Sequence, residues 1–301
     1  MKKQHFKKEE RLNLFGLFFR FVEKFTILLK DTFITQKKHI IVKNIAIAAV
    51  FVAITLLTSS NSPKRSDFQV KTVVIDPGHG GKDPGTHGNF TEEKDVALEV
   101  AKKVGSYINE YLPDVKVIYT RDDDNFLELE ERAVIANKNN ADVFISIHAN
   151  AVSKNTIYGT ETYVMGTHKT EANFEVAKRE NSVILYEEGY QEKYEGFDPN
   201  SPESQILFSL SQSAYIENSL RLASQIEEQF GKRAGRRSRG VKQAGFWVLW
   251  RTSMPSVLVE IGYLTNPKEE KELNTESIQG NIASGIFRAF RDYKNQIESL
   301  N

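Results

Sequence analysis

The chain has 301 residues, with 40 basic and 40 acidic side chains, and its formal net charge is zero. Nucleic-acid-binding proteins normally carry an excess of lysine and arginine, so this balance gives no support to a nucleic-acid partner. The sequence contains no cysteine, which excludes disulfide bonds, thiolate zinc sites and cysteine nucleophiles.

An apolar segment near the amino terminus predicts export or membrane attachment. Residues 45–57, IAIAAVFVAITLL, carry no charge and follow a lysine-rich stretch. The segment approaches the roughly 20 residues that span a bilayer when it is counted from Ile40. We interpret residues 40–58 as a signal-anchor or a cleaved signal sequence, with residues 1–39 cytoplasmic or interfacial. The remainder would then lie in the cell envelope, on the periplasmic or extracytoplasmic side.

Residues 59–70 read as a polar linker, and residues 71–295 predict one α/β domain with a largely parallel central sheet flanked by helices. Apolar runs of strand length alternate with helical stretches, which is the pattern of such a fold. The predicted strands are Thr72–Ile75, Val115–Tyr119, Val143–Ile147, Gly159–Val164 and Ser256–Ile261. The predicted helices run from about Glu92 to Tyr111, from about Leu127 to Lys138, and onward from Asn266-Pro267.

A glycine-rich loop follows the first predicted strand in VVIDPGHGGKDPG, residues 73–85. Phosphate-binding loops end in lysine and then serine or threonine, which this loop lacks. It carries His79 instead. His148 and Glu260 end two other predicted buried strands. Ligands collect beyond the carboxyl ends of parallel strands, so we expect these three side chains to converge.

A fourth polar residue begins the first predicted helix. The apolar stripe of that helix consists of Val96, Ala97, Val100, Ala101, Val104 and Ile108. At about 100° per residue, Glu93 projects within roughly 20° of the middle of this stripe, whereas Glu92 lies about 120° away. Glu93 is therefore predicted to face the sheet, where a buried charge needs a partner.

Two imidazoles and a carboxylate form a common ligand set of catalytic zinc, with water in the fourth position. His79, Glu93 and His148 supply that set. Glu260 then suits the role of general acid/base within reach of the water. Taken alone, His79, His148 and Glu93 also have ordinary structural explanations, as a turn histidine, a strand-end histidine and a helix-start glutamate. Glu260 is harder to explain in this way, because buried strands rarely carry an unpaired carboxylate.

Four segments together resemble the amidase-3 family of zinc-dependent N-acetylmuramoyl-L-alanine amidases. They are VVIDPGHGGKDPG, EEKDVALEVAKKV, VIYTRDDDNFLELEERAVIANKNNADVFISIHANA and VLVEIGYLTNPKEEKEL. The resemblance covers about residues 71–167 and 219–295. It implies cleavage of the amide bond between N-acetylmuramic acid and L-alanine of peptidoglycan stem peptides, during cell-wall remodelling or daughter-cell separation.

The resemblance also implies roles for individual residues. Its motifs assign His79, Glu93 and His148 as ligands of Zn²⁺ and Glu260 as the catalytic residue, and they place Arg121, Arg132 and Asn137 in the scaffold. A different zinc peptidase of stem peptides and a non-catalytic peptidoglycan-binding regulator on the same fold are the alternatives. His87 and His168 match no motif and are left outside the site.

Residues 168–218 form an insert that a minimal family member lacks. Cell-division amidases of the family carry an insertion at a similar place, whose helix blocks the site until an activator protein binds. The resemblance thus predicts a regulatory lid here, with a passive surface elaboration as the alternative. The basic segment GKRAGRRSRG, residues 231–240, is interpreted as a solvated turn in preference to a contact with acidic stem peptides.

Overall fold

A six-stranded sheet forms the centre of the fold. This computed structural model describes residues 68–201 and 214–300, together with positions 16, 19–24, 45, 47 and 48. The strands are β1 (Thr72–Pro77), β2 (Lys116–Tyr119), β3 (Val143–Asn150), β4 (Thr160–Met165), β5 (Ser238–Ala244) and β6 (Ser256–Tyr263). Their order is β2-β1-β3-β6-β4-β5, and only the pairing of β4 with β6 is antiparallel. The predicted α/β fold with a largely parallel sheet is confirmed.

Helices cover both faces of the sheet. They are α1 (Glu93–Tyr111), α2 (Leu129–Lys138), α3 (Glu171–Asn181), α4 (Tyr190–Lys193), α5 (Ile216–Lys232), α6 (Trp247–Trp250), α7 (Pro267–Leu273) and α8 (Glu276–Leu300), with a 3-10 helix at Ser182–Tyr186. The apolar faces of α1, α5 and α8 pack on one side of the sheet, and α2, α3 and α6 pack on the other. This cover on both sides explains why every residue of β3, β4 and β6 is buried.

The register of the central strands aligns polar residues at one edge. His148 of β3 lies opposite Glu260 of β6, and Glu260 lies opposite Glu161 of β4. Residues directly opposite each other place their side chains on the same face of a sheet, about 5 Å apart. The fold therefore brings His148, Glu260 and Glu161 into one row at the carboxyl ends of β3 and β6.

The strand β5 corrects the interpretation of residues 231–240 as a solvated turn. Ser238, Arg239 and Gly240 belong to this strand, which pairs with β4. Arg236 is buried in ion pairs with Glu269 and Glu272. The segment lacks the apolar alternation of a strand, which is why its sequence pattern did not indicate one.

The predicted start of α7 is confirmed at the level of atoms. The side-chain oxygen of Asn266 accepts hydrogen bonds from the backbone N–H groups of Lys268 and Glu269, and Pro267 is the first helical residue. This cap fixes the chain direction directly after β6.

Among the residues that the structure describes, no helix combines the length and apolarity needed to cross a bilayer. The segment predicted at residues 40–58 lies outside the described residues except at positions 45, 47 and 48. Its role in export or anchoring stays a prediction, as do the domain limits at residues 59–70.

A buried ion pair joins β1 to α2 beneath the site. Arg132 is 1% exposed and donates to Asp76 Oδ1 at 2.9 Å and to the carbonyl oxygens of Pro77 and His79, both at 2.8 Å. Burial acts to raise the pKa of Asp76, but the charge of Arg132 and two hydroxyl donors outweigh it and lower that pKa. Arg132 therefore fixes the backbone at the end of β1 and at His79, which follows this strand.

We expect Arg132→Met to lower the free energy of unfolding by about 3 kcal/mol or more. The substitution leaves the Asp76 carboxylate and three carbonyl groups without their buried donor, and breaking a buried pair costs about 3–5 kcal/mol. Urea unfolding followed by circular dichroism measures the change. The exposed Lys138→Met on the same helix is the control, and an equal loss in both variants would contradict the role of Arg132.

Candidate metal centre

His79 is held in a strained turn after β1. Its backbone has φ = 62°, a left-handed conformation that is uncommon for a residue other than glycine. Its Nδ1–H donates to Asp83 Oδ2 at 2.7 Å. Because this bond fixes the proton on Nδ1, the lone pair of Nε2 is available to a ligand. Strain of this kind persists where the surrounding contacts enforce it, often at functional sites.

Two glycines of the loop give the site its close packing. A Cβ atom at Gly78 would lie 2.3 Å from Cε1 of His148. At Gly85, where φ = +68°, a Cβ atom would lie 2.6 Å from Cδ2 of His79 and 2.7 Å from Oε2 of Glu93. The glycines thus allow the backbone to pass close to the side chains of the site. The loop also lacks the lysine followed by serine or threonine that ends a phosphate-binding loop, which is consistent with this role.

Glu93 faces inward, as the helical periodicity predicts. It is 0% exposed at the first position of α1, while the neighbouring Glu92 is partly exposed. Its Oε1 accepts a hydrogen bond from the N–H of Ala149 and its Oε2 accepts one from the N–H of Thr86, both at 2.8 Å. These backbone donors fix the carboxylate and leave Oε1 directed at both histidines.

His148 is oriented from β1 and β3. Ser146 Oγ donates to Asp76 Oδ2 at 2.6 Å and lies 3.1 Å from Nε2 of His148. Because the hydroxyl proton is used on Asp76, Nε2–H of His148 donates to Ser146 and Nδ1 is the free acceptor. A ligand histidine commonly donates its second N–H in this way.

Glu180 of α3 completes a cluster of four buried side chains. His79 Nε2, His148 Nδ1, Glu93 Oε1 and Glu180 Oε2 all lie within 4.8 Å of one another. The distances from each histidine nitrogen to each carboxylate oxygen, and between the two nitrogens, are 3.1–3.2 Å. Four donors held tetrahedrally at about 2.0 Å from a zinc ion would lie about 3.3 Å apart. The spacing therefore fits a four-coordinate metal ion.

The electrostatics of the cluster favour a cation. Burial by itself lowers the pKa of both histidines, but the carboxylates outweigh it, raising that of His79 well above its usual value and that of His148 to about 9. Oε2 of Glu180 has no hydrogen-bond partner among the described residues. The two buried carboxylates thus demand positive charge between the imidazoles, which a divalent ion supplies.

Glu260 lies beside the cluster without being part of it. It is 0% exposed, stands opposite His148 in the sheet, and neither of its oxygens has a hydrogen-bond partner among the described residues. Burial and the neighbouring charge of Glu180 raise the pKa of Glu260 well above its usual value. A buried carboxyl group with unused oxygens next to a metal position is suited to accept and return a proton.

Arg179 fastens α3 over the site. Its guanidinium donates to the carbonyl oxygen of Ala151 and to Oδ1 of Asn150, both at 3.1 Å, and lies 3.7 Å from Oε1 of Glu260. On the other side of Glu180, Asn181 donates to the carbonyl oxygen of Gly245 at 2.7 Å. Three consecutive residues therefore dock the end of α3 onto the site.

Sequence reasoning named His79, Glu93, His148 and Glu260, and the structure brings all four together. It missed Glu180. The signal was present, because Val176 and Ala177 are buried and Glu180 follows them by four and three residues on the same helical face. His87 and His168 lie outside the cluster, beside Glu92 and Phe174 respectively.

The comparisons with known proteins point to one family. The N-acetylmuramoyl-L-alanine amidase family, amidase-3, matches residues 73–292. The chain is 37% identical over 234 residues to the N-acetylmuramoyl-L-alanine amidase AmiA of Escherichia coli K12, covering 75% of this chain and 78% of AmiA.

Two solved structures share the fold. The catalytic domain of CwlV, an N-acetylmuramoyl-L-alanine amidase of Bacillus (Paenibacillus) polymyxa var. colistinus, aligns with a TM-score of 0.54 and 32% identity over 75% of this chain and 98% of that one. The CwlD amidase of Clostridioides difficile, in complex with the GerS lipoprotein, aligns with a TM-score of 0.56 and 26% identity over 75% and 99%. The chain therefore belongs to the amidase-3 family of N-acetylmuramoyl-L-alanine amidases.

Proposed function

We propose that this protein is a zinc-dependent N-acetylmuramoyl-L-alanine amidase of the cell wall, in which His79, Glu93 and His148 hold the ion. The observation that carries the proposal is the spacing of these three donor atoms at 3.1–3.2 Å, next to the carboxyl group of Glu260, whose oxygens accept no hydrogen bond among the described residues. Nitrogen and oxygen donors without thiolate suit zinc.

The residues divide the chemistry between them. Zinc, when bound, would polarise the carbonyl group of the scissile amide and lower the pKa of a water molecule to about 7. An oxygen of Glu260 accepts the proton of the attacking water and delivers it to the amide nitrogen of L-alanine as that bond breaks. The products are the muramic acid carboxylate and a stem peptide with a free amino group. Asp83 and Ser146 keep the two imidazoles in the tautomers that leave Nε2 of His79 and Nδ1 of His148 unprotonated.

Glu180 acts in this proposal as a removable fourth ligand. Its Oε2 stands 3.1–3.2 Å from the same two nitrogens that face Glu93, in the position where a catalytic site needs water or substrate. The insert at residues 168–218 would therefore inhibit the enzyme until α3 moves. This extends the lid predicted from the sequence by naming the side chain that blocks the site.

An activator protein is the expected partner of the insert. CwlD was solved in complex with the GerS lipoprotein, which supports a partner for a family member of this fold. Leu185 and Tyr186, in the 3-10 helix that follows α3, are about half exposed and offer apolar surface for such a contact. We propose that binding there draws α3 off the site during wall remodelling or daughter-cell separation.

We expect Glu260→Gln to lower the turnover of purified sacculi by about 10²–10⁴-fold, because an amide group cannot accept the proton. The bound zinc should remain at the wild-type level, since Glu260 is not a ligand. A chelator should abolish wild-type activity, and added Zn²⁺ should restore it. Mass spectrometry of the products and metal analysis measure these outcomes.

The fully exposed Glu276→Gln is the matched control and should behave as wild type. The released peptides should begin with a free L-alanine amino group. Cleavage within the stem peptide would favour the alternative of a zinc peptidase. Binding of sacculi without any product, by the Glu180→Ala variant as well as by the wild type, would favour a non-catalytic regulator.

We expect Glu180→Ala to raise basal activity by about tenfold, because it removes the group that competes with substrate for the metal and so increases the competent fraction. The rate of peptide release from sacculi, without any partner protein, measures the effect. Glu175→Ala, on the exposed face of the same helix, should leave the rate unchanged. Lower activity of Glu180→Ala at unchanged zinc content would show that Glu180 assists the reaction instead of blocking it.

We also propose that residues 40–58 carry the catalytic domain across the cytoplasmic membrane and anchor it there. The protein should then sediment with membranes at its full mass of 34.3 kDa. Replacement of three central apolar residues by serine should release it or retain it in the cytoplasm. A shorter soluble form in the periplasm or medium would instead identify residues 40–58 as a cleaved signal.

A further inference from the structure

A second charged cluster adjoins the catalytic row, centred on Glu161 of β4. This carboxylate is 1% exposed and accepts hydrogen bonds from Nε of Arg239 at 2.7 Å and Nζ of Lys242 at 2.5 Å. The hydroxyl groups of Tyr163 and Tyr263 both donate to it at 2.7 Å. Burial acts to raise the pKa of Glu161, but Lys242 and Arg239 outweigh it and lower that pKa.

The cluster lies one strand away from the catalytic carboxyl group. Glu161 stands directly opposite Glu260 in the antiparallel pairing of β4 with β6. Arg239 and Lys242 come from β5, the next strand along. Neighbouring strands are about 4.8 Å apart, so the two cations stand one to two strand spacings from Glu260 at the same edge of the sheet.

Glu161 does not need both cations. A buried carboxylate is commonly satisfied by one bidentate cation, and this one also has two tyrosine donors. The cluster instead holds two positive charges against one negative charge. The side chains of Arg239 and Lys242 are 27% and 22% exposed, whereas that of Glu161 is 2% exposed. The excess positive charge is therefore on the solvent side of the cluster.

The two cations also have unused donors. An ammonium group has three N–H donors and a guanidinium has five. Lys242 bonds to Glu161, and Arg239 bonds to it through Nε while its guanidinium lies 5.6 Å from the centre of the Tyr263 ring. Among the described residues, no second carboxylate pairs with either cation. Glu161 and Tyr263 thus hold Arg239 in place, while 27% of its side chain remains exposed.

We propose that Arg239 and Lys242 form a carboxylate-binding subsite that receives the acidic residue next to L-alanine in the stem peptide. The inference rests on the proposed amidase function. An extended peptide advances about 3.5 Å per residue. The acidic residue is the second one after the scissile bond and spans about 3.5–7 Å from it, so its carboxylate can reach cations that stand about 5–10 Å from Glu260. Its charge would neutralise the excess positive charge of the cluster and fix the register of the peptide.

The test compares two soluble muropeptides that differ in one group. In one the residue after L-alanine has a free carboxylate, and in the other that group is its primary amide. The full-length, zinc-loaded protein should cleave the acid with a KM about tenfold below that of the amide. Lys242→Met should raise KM for the acid by about tenfold and leave KM for the amide unchanged, with kcat altered less than twofold. Lys242→Arg should retain the preference.

Lys232→Met is the matched control, since Lys232 is exposed at the end of α5 and pairs with Glu228. It should leave both KM values unchanged. An equal loss on both substrates in Lys242→Met would mean that Lys242 only stabilises Glu161, and equal KM values in the wild type would overturn the subsite. If the Glu180→Ala variant, which lacks the blocking side chain, also cleaves neither substrate nor sacculi, it is the amidase function itself that fails.

Discussion

The need to neutralise buried carboxylates governs this site. Glu93 is 0% exposed and Glu180 is 4% exposed, and among the described residues the guanidinium of Arg179 pairs with Glu180 as a permanent cation, whereas Glu93 pairs only with the two histidines. Isolated buried charges are costly, so the arrangement is stable only if positive charge lies between the imidazoles. A divalent ion bound by His79 and His148 meets this requirement more fully than protonation of the two rings, because it also engages the lone pairs that their outer hydrogen bonds leave free.

The outer hydrogen bonds connect that requirement to the sheet. Asp76 of β1 accepts from Arg132 of α2, from Ser146 of β3 and from Thr120 after β2. Ser146 in turn contacts His148. Arg132 also binds the carbonyl oxygen of His79. The buried carboxylate of Asp76 therefore links β1 to β3 and to the residue that follows β2. The positions of both histidines depend on this hydrogen-bond network.

The sequence allowed prediction of those parts of the site whose position follows from local periodicity. The inward face of Glu93 followed from the apolar stripe of α1, and the alignment of His79, His148 and Glu260 followed from buried strands that end in polar residues. The strand β5 was missed because Arg239 and Lys242 interrupt any apolar alternation. Both are stabilised in the strand by Glu161, which lies about 80 residues earlier in the chain. Contacts of that separation leave no local pattern.

The end of α3 places one negatively and one positively charged side chain in the active site, where a substrate would otherwise bind. Glu180 presents an oxygen to the two histidine nitrogens, and the adjacent Arg179 presents a cation 3.7 Å from Oε1 of Glu260. The first contact fills the fourth ligand position of the metal, and the second stabilises the charged form of the catalytic carboxyl group. Withdrawal of α3 removes the two together, since both residues lie in the last turn of one helix. Glu260 then loses one neighbouring positive and one neighbouring negative charge at once, so the net charge beside it is unchanged while the fourth ligand position of the metal opens. Pairing opposite charges on one helix end thus allows the site to be blocked and released without a large change in net charge at the catalytic residue.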